Sequence, residues 1–129
     1  MISTSTVLLI LLSHWIADFV CQTDAMAKGK STSWRVLATH IAAYVTVLNL
    51  IVPTVMFCML VPPATLGHIV LWGYLNGALH FCVDAVTSRI TSRLYAAGRI
   101  HDFFVVIGLD QLIHTVCLLG TWSLIFAAL

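Results

Sequence analysis

Four long apolar runs dominate the chain, and short polar stretches separate them. The helices that these runs predict cover about residues 5–23, 34–60, 64–95 and 102–127. Each run approaches or exceeds the roughly 20 apolar residues that an α-helix needs to cross a ~30 Å hydrocarbon core. The pattern predicts an all-α, integral membrane four-helix bundle that forms a single transmembrane domain over residues 1–129. The first run carries no basic leader, so we expect it to stay on the protein.

Proline positions predict where the second helix ends. Pro53 lies late in the second run, where we expect it to kink or end the helix, and Pro62 and Pro63 then break the chain before the third run. The connection between the second and third helices is therefore predicted to be tight.

The composition supports a membrane protein and argues against one class of partner. The chain is 60% hydrophobic and 9% charged, whereas soluble domains carry about 25% charged residues. Its formal net charge is +1. No basic face is then large enough to neutralise a nucleic-acid backbone, so we expect the lipid bilayer, and no nucleic acid, as a partner.

Basic residues occur in only two of the connections, and they predict the orientation. Three follow the first helix and three follow the third: Lys28, Lys30, Arg35, Arg89, Arg93 and Arg99. The positive-inside rule makes these connections cytoplasmic. Both termini and the turn at Pro62 and Pro63 then face outward.

Polar residues inside three of the apolar runs form His and Asp pairs. Each pair has i, i+4 spacing, so both members share one helical face. With alternating helix directions, every Asp lies nearer the cytoplasm and every His about 6 Å deeper, and the lone His of the second helix lies close to that level. Seven side chains therefore form a predicted polar cluster in the cytoplasmic half of the bundle: His14, Asp18, His40, His80, Asp84, Asp110 and His114.

Three buried carboxylates need compensation. One Asp at the centre of a membrane helix costs about 2.5–3.5 kcal/mol, so three would cost roughly 8–10 kcal/mol. Because every Lys and Arg lies in a connection, none is expected to neutralise them. The pattern predicts one or two divalent ions, with zinc first and Mn, Fe or Ni as alternatives, since Mg and Ca prefer oxygen ligands alone. Seven candidates exceed four ligands, so either an Asp bridges two ions or some members orient the others.

Other interpretations of these polar residues remain open. A single membrane His is more often a hydrogen-bonded packing residue, and a single pair is compatible with a proton relay. Tyr44 is expected to pack, with a hydrogen bond to the cluster as the alternative. Trp72 and Trp122 are predicted interface anchors, and Asp24 is a predicted loop residue.

Several segments together resemble a known family. They are HWIADFVCQTDAMAKGK, His40 with Tyr44, HFCVD and DQLIH. They resemble small bacterial and phage membrane proteins classified as domain of unknown function 3307, over nearly the whole chain. The resemblance implies a bacterial inner-membrane location and no assigned activity. Its recurrent polar positions correspond to His14, Asp18, Gln22, Met26, Ala27, Lys28, His40, His80, Asp84, Asp110, Gln111 and His114. A looser similarity links the His and Asp runs to membrane-bound metal-dependent hydrolases of the YdjM type.

The leading functional hypothesis is a metal-dependent hydrolase that acts on a lipid or lipid-linked substrate from the cytoplasmic leaflet. Its candidate catalytic residues are Asp18, Asp84 and Asp110. Gln22, Lys28 and Gln111 are the candidate substrate-binding residues, with Lys30 and Arg89 at the mouth of the site.

Two other classes of function fit the same residues. They can serve a cation or proton transporter, or a structural or interaction protein, such as a phage lysis or exclusion factor, with a structural metal. A homodimer is compatible with four short helices on size alone.

Overall fold

The computed structural model describes residues 2–59 and 62–127 of the chain, and its regular elements there are all helical. This confirms the all-α prediction for the described residues. The elements are α1 (Thr4–Trp15), a π-helical turn (Ile16–Val20), α2 (Asp24–Gly29), α3 (Trp34–Cys58), α4 (Pro63–Ala96) and α5 (Ile100–Phe126).

Three of the described helices, α3, α4 and α5, are long and apolar enough to cross a membrane. The first helical stretch is apolar but shorter, since α1 and the π-helical turn together cover Thr4–Val20. That stretch is below the roughly 20 residues of a perpendicular span. By length and composition these three helices could span a membrane, and the first stretch is shorter than they are.

Hydroxyl side chains define where α1, α2 and α3 begin. Ser3 Oγ accepts a hydrogen bond from the backbone N–H of Thr6, and Ser33 Oγ accepts one from Val36. Each bond satisfies an N–H group that the first helical turn leaves unpaired. Thr23 caps α2 in the same way, so the prediction that Asp24 lies in a loop was wrong: Asp24 is the first residue of this helix.

Pro53 does not end the second long helix. It lies inside α3, which continues to Cys58. Proline is tolerated within a membrane helix when neighbouring groups satisfy the backbone carbonyl that loses its partner.

The helices pack in a ring. α3 packs against α4 and α4 against α5, while α1 packs against both α3 and α5 and closes the ring. On α3 a buried side chain recurs every four residues at Tyr44, Leu48 and Val52. This spacing is typical of the inward-facing side of a helix.

Two glycines allow α3 and α4 to approach closely. A Cβ atom at Gly73 would overlap the side chain of Asn49, and one at Gly77 would overlap that of Val45. Small residues at i, i+4 spacing are typical of tightly packed membrane helices.

Trp72 and Trp122 belong to the core rather than to the membrane interface, so the prediction that they are anchors was wrong. Trp72 is fully buried, and its Nε1 donates a hydrogen bond to the carbonyl oxygen of Leu118 at 3.1 Å. The two indole rings meet edge to face with centroids 5.3 Å apart. Because the indole N–H of Trp72 has a hydrogen-bond acceptor, this large side chain can fill the bundle interior without leaving a buried donor unpaired.

Candidate metal centre

Two carboxylates and two imidazoles meet in the bundle interior. Asp18 comes from the π-helical turn, His40 from α3, and His80 and Asp84 from α4. His40 Nε2 lies 3.2 Å from Asp18 Oδ1 and 3.4 Å from Asp84 Oδ2. His80 Nε2 lies 3.3 Å and 3.5 Å from the same two oxygens. The two Nε2 atoms are 3.3 Å apart. We call these residues the four-residue cluster.

The geometry of the four-residue cluster fits a tetrahedral ion. Ligand atoms about 2.0–2.1 Å from a central ion at tetrahedral angles lie about 3.3–3.4 Å from one another. The five distances given above fall around this value. All four side chains are buried, and their ligand atoms lie within 4.8 Å of one another. The residues can therefore hold a metal ion with little rearrangement.

A second group shares one residue with the first. His114 Nε2 of α5 lies 3.4 Å from Asp84 Oδ1 and 3.4 Å from Asp110 Oδ1. Asp84 thus directs one carboxylate oxygen to each group. We call Asp84, Asp110 and His114 the three-residue cluster.

Ring packing holds the imidazole of His80 in the four-residue cluster. The His80 ring lies between two other rings, with centroids 3.9 Å from His114 at an interplanar angle of 11° and 4.1 Å from Tyr44 at 32°. The Nδ1 atoms of His40 and His80 are buried without a hydrogen-bond partner in the described part of the chain. Ligating His rings are usually oriented by an acceptor on the second nitrogen; here ring stacking takes that role for His80.

Lys30 brings a positive charge to the carboxylates. Its Nζ lies 2.7 Å from Asp84 Oδ2, and its side chain is only 16% exposed. The six-residue helix α2 leads to it, and Gly29 lets the end of α2 approach α3, because a Cβ there would lie 3.1 Å from Val36 Cγ1. The prediction that no Lys or Arg would neutralise the carboxylates was therefore wrong.

The charge balance nevertheless still favours a cation. Lys30 offsets one of the carboxylates of Asp18, Asp84 and Asp110. When the imidazoles are neutral, as metal ligation requires, about two negative charges remain in a buried region. Buried charges require a compensating partner, and a divalent ion supplies one of the right magnitude.

His14 lies beside the carboxylates but belongs to neither cluster. Its Nδ1 lies 3.2 Å from Tyr44 Oη and its Nε2 lies 3.1 Å from Gln111 Oε1. Gln111 Nε2 donates to Asp18 Oδ2 at 2.9 Å and to Asp110 Oδ2 at 3.0 Å. Tyr44 therefore makes the hydrogen bond that the sequence offered as the alternative to packing alone, and Gln111 links the two carboxylates.

The donor and the acceptor in each hydrogen bond of His14 can be assigned from the groups that Gln111 and Tyr44 offer. The Gln111 amide uses its N–H groups on two carboxylates, so its Oε1 accepts from His14 Nε2–H. The remaining nitrogen, His14 Nδ1, accepts from the Tyr44 hydroxyl. This arrangement satisfies every member with a neutral imidazole. Both ring nitrogens of His14 pair with neutral side chains, whereas the Nε2 atoms of His40, His80 and His114 face carboxylates.

A cavity of about 190 Å³ opens beside the carboxylates. Its polar lining includes Asp18, Gln22, Lys30, Asp84, Asp110 and Gln111. Thr87 also lines it and donates a hydrogen bond of 2.6 Å to Asp110 Oδ1. The sequence did not single out Thr87, although its position three residues after Asp84 on one helix was a usable signal.

Two basic residues with predicted roles lie outside the cavity lining. Lys28 is exposed on α2. Arg89 places its guanidinium 4.1 Å from the centroid of the Trp34 ring and donates a hydrogen bond to the carbonyl oxygen of Ala85. A cation over an aromatic face is a stable arrangement on its own. Among the described basic residues, Lys30 is the one that reaches the cavity.

Comparison with known proteins identifies a family but supplies no activity. No curated protein and no solved structure matches the chain. A family model described as "Protein of unknown function (DUF3307)" matches residues 6–128. The matched range includes both clusters together with His14, Lys30 and Gln111. The chain therefore belongs to the DUF3307 family.

Proposed function

We propose that this protein binds a divalent metal ion at the four-residue cluster and hydrolyses a lipid or lipid-linked substrate within the membrane. The observation that carries the proposal is the set of 3.2–3.5 Å distances among Asp18 Oδ1, His40 Nε2, His80 Nε2 and Asp84 Oδ2. Hydrogen bonds alone would leave the two facing imidazole nitrogens in competition for the same oxygens. A cation uses all four lone pairs at once.

Zinc is the proposed metal. Two imidazole nitrogens and two carboxylate oxygens at tetrahedral spacing suit Zn²⁺, which has no preference for higher coordination. Mn, Fe and Ni accept the same ligand types. Quantifying the metals bound per chain in purified protein distinguishes these ions.

We place the protein in a bacterial inner membrane that it crosses four times. The spans are α3, α4, α5 and the shorter stretch formed by α1 and the π-helical turn. The segments that carry Lys and Arg, namely the region of α2 and the junction between α4 and α5, lie on the cytoplasmic side by the positive-inside rule. The chain ends then face outward. The contact of Lys30, from a connection proposed to be cytoplasmic, with Asp84 supports a cluster in the cytoplasmic half of the bundle.

The cavity supports a substrate with an anionic headgroup. Lys30 supplies positive charge, and the side chains of Gln22 and Gln111 supply amide groups at the same cavity. Phe19 and Phe103 also line it, and Phe19 is 44% exposed on the outside of the bundle. A lipid with its headgroup at the carboxylates and its chains along Phe19 fits this division of polar and apolar surface.

The chain supplies two carboxylates that can accept a proton from an attacking water. Asp18 and Asp110 each direct Oδ1 toward a cluster and Oδ2 toward the Gln111 amide. Asp110 is the more accessible, with 13% of its side chain exposed against 4% for Asp18. A divalent ion held at the four-residue cluster would supply Lewis acidity toward water and toward a phosphoryl or acyl oxygen by expanding from four to five ligands.

Metal content and turnover measured on the same purified samples test this function. The protein is extracted in mild detergent, its metals are quantified per chain, and its turnover is followed on fluorescent phospholipids and lipid phosphates in mixed micelles. Asp84→Asn should lose both the metal and the turnover. Asp102→Asn is the matched control, because Asp102 is 42% exposed and pairs with Arg99, away from both clusters.

Three outcomes would contradict the proposal. One is a wild-type metal content well below one equivalent, and another is turnover that survives loss of the metal. A metal whose removal melts the protein while no substrate is ever consumed would instead indicate a structural site.

The transport alternative is less well supported. A path to the outer face would have to pass Leu48, Val52 and Trp72, which are buried and pack in the apolar core. Metal-dependent flux in liposomes, without substrate turnover, would favour it.

A further inference from the structure

We propose that the three-residue cluster binds a second divalent cation, which shares Asp84 with the ion of the four-residue cluster. This inference rests on the proposed function, because it requires the first ion. It adds a two-metal centre whose second ion faces the cavity.

Asp84 is placed as a bridging ligand. Its Oδ2 faces His40 and His80 of the first group, whereas its Oδ1 lies 3.4 Å from His114 Nε2. His114 Nε2 also lies 3.4 Å from Asp110 Oδ1, which is again the spacing of two ligands about 2.1 Å from one ion. A carboxylate that gives one oxygen to each of two ions holds them about 3.5–4 Å apart.

The stacking of two imidazole rings is compatible with that separation. His80 belongs to the first cluster and His114 to the second, and their rings stack nearly parallel at 11° with centroids 3.9 Å apart. Both rings direct Nε2 toward an Asp84 oxygen. Parallel ligands at this spacing match the distance between paired ions in two-metal hydrolytic sites.

Gln111 connects the outer ligands of the two proposed ions. Its amide nitrogen donates to Asp18 Oδ2 and to Asp110 Oδ2, the oxygens that the clusters do not use. Asp18 serves the first ion and Asp110 the second, so one side chain orients a terminal carboxylate on each. Thr87 fixes Asp110 further through its bond to Oδ1.

The second ion would have open coordination positions toward the cavity. It has three protein ligands where the first has four, and Asp84 and Asp110 both line the cavity. Catalytic ions keep such a position for water or substrate. Two divalent ions and Lys30 against three carboxylates give a positive site, so an anionic phosphoryl group is the class of substrate that it favours.

Manganese titration of metal-free protein in detergent tests this inference. Bound Mn²⁺ per chain is measured by equilibrium dialysis, and electron paramagnetic resonance reports exchange coupling between neighbouring ions. Wild type should bind two ions with a coupled signal. Asp110→Asn should bind one ion without coupling, and Asp102→Asn should match the wild type. Inorganic phosphate should bind to the two-ion form at least tenfold more tightly than to Asp110→Asn.

The outcomes separate this inference from the proposed function. One ion in the wild type, unaffected by Asp110→Asn but lost with Asp18→Asn, would overturn the second ion and leave the metal-dependent hydrolase standing. No bound ion at all would overturn both. If Asp110→Asn does not fold, as judged by gel filtration, His114→Gln removes a different ligand of the same cluster and should likewise reduce two ions to one.

Discussion

Lys30 Nζ lies 2.7 Å from Asp84 Oδ2, the oxygen that also faces His40 and His80. A basic residue from the connection after the first helical stretch therefore reaches the carboxylate that joins the two clusters. The ammonium group competes with a cation for Asp84, yet it also adds positive charge beside the cavity. These two effects can be separated by experiment.

Replacing Lys30 by Met is expected to strengthen metal binding and weaken turnover of an anionic substrate. The ammonium repels a nearby cation, and at an effective dielectric constant near 20 two unit charges about 4 Å apart interact by roughly 4 kcal/mol, or roughly 8 kcal/mol when one of them is divalent. After rearrangement we expect metal affinity to rise about tenfold and kcat/KM to fall at least tenfold. Metal titration and steady-state kinetics measure the two. Lys28→Met, at an exposed position of α2, should change neither quantity. Similar behaviour of the two variants would contradict the role of Lys30.

Replacing Gln111 by Leu is expected to weaken metal binding without removing a ligand. The variant loses two hydrogen bonds to carboxylates, each worth about 1.5–3 kcal/mol when the partner is charged. Loss of a group that orients metal ligands typically costs 10–100-fold in affinity. Competition with a chelator of known affinity measures the change. Gln22→Leu is the control, since Gln22 lines the cavity but makes no hydrogen bond to either cluster in the described structure. Equal metal affinity in the two variants would contradict the linking role of Gln111.

His14 and His80 are expected to respond differently to substitution by Ala. His80→Ala should abolish binding of the first ion, because His80 Nε2 faces both carboxylates of its cluster. His14→Ala should keep the metal stoichiometry with lower affinity, because His14 acts through Gln111. Metal content at saturation distinguishes a ligand from a positioning residue. His101→Ala, at an exposed position, should resemble wild type, whereas loss of one full equivalent in His14→Ala would make His14 a ligand.

Gly77→Val is expected to destabilise the bundle. An added side chain would meet Val45 of α3, and overpacking of this kind typically costs about 1–3 kcal/mol. The midpoint of thermal unfolding in detergent should fall by several degrees. Gly120→Val introduces the same side chain where a Cβ meets nothing within 4 Å, so it should leave the midpoint nearly unchanged. Equal effects of the two substitutions would show that the α3–α4 contact is not tight.

The sequence predicted the helical class and the meeting of His and Asp side chains because both follow from periodicity. An i, i+4 pair such as His80 and Asp84 shares a helical face wherever the helix lies. Reversal of the pair order with helix direction then brought Asp110 and His114 toward the same level. Those inferences needed no knowledge of how neighbouring helices rotate.

The features that the sequence missed depend on tertiary structure. Lys30 reaches Asp84 because α2 forms after Thr23 and packs on α3 at Gly29, and a six-residue helix in a polar connection has only a weak sequence signal. His14 meets Gln111 and Tyr44 through contacts among three helices. Trp72 is buried because α5 offers it a carbonyl acceptor, which no pattern within α4 reveals.

X-ray absorption spectroscopy at the metal edge of the purified protein, loaded with one equivalent of zinc, tests the central claim most directly. We predict four nitrogen and oxygen neighbours at about 2.0–2.1 Å, no sulfur neighbour, and outer-shell scattering from two imidazole rings. His101→Ala should give the same spectrum, whereas His80→Ala, which should not bind the first ion, should not show the scattering of two imidazole rings around the zinc. A six-oxygen shell without imidazole scattering in the wild type would contradict the proposed metal centre.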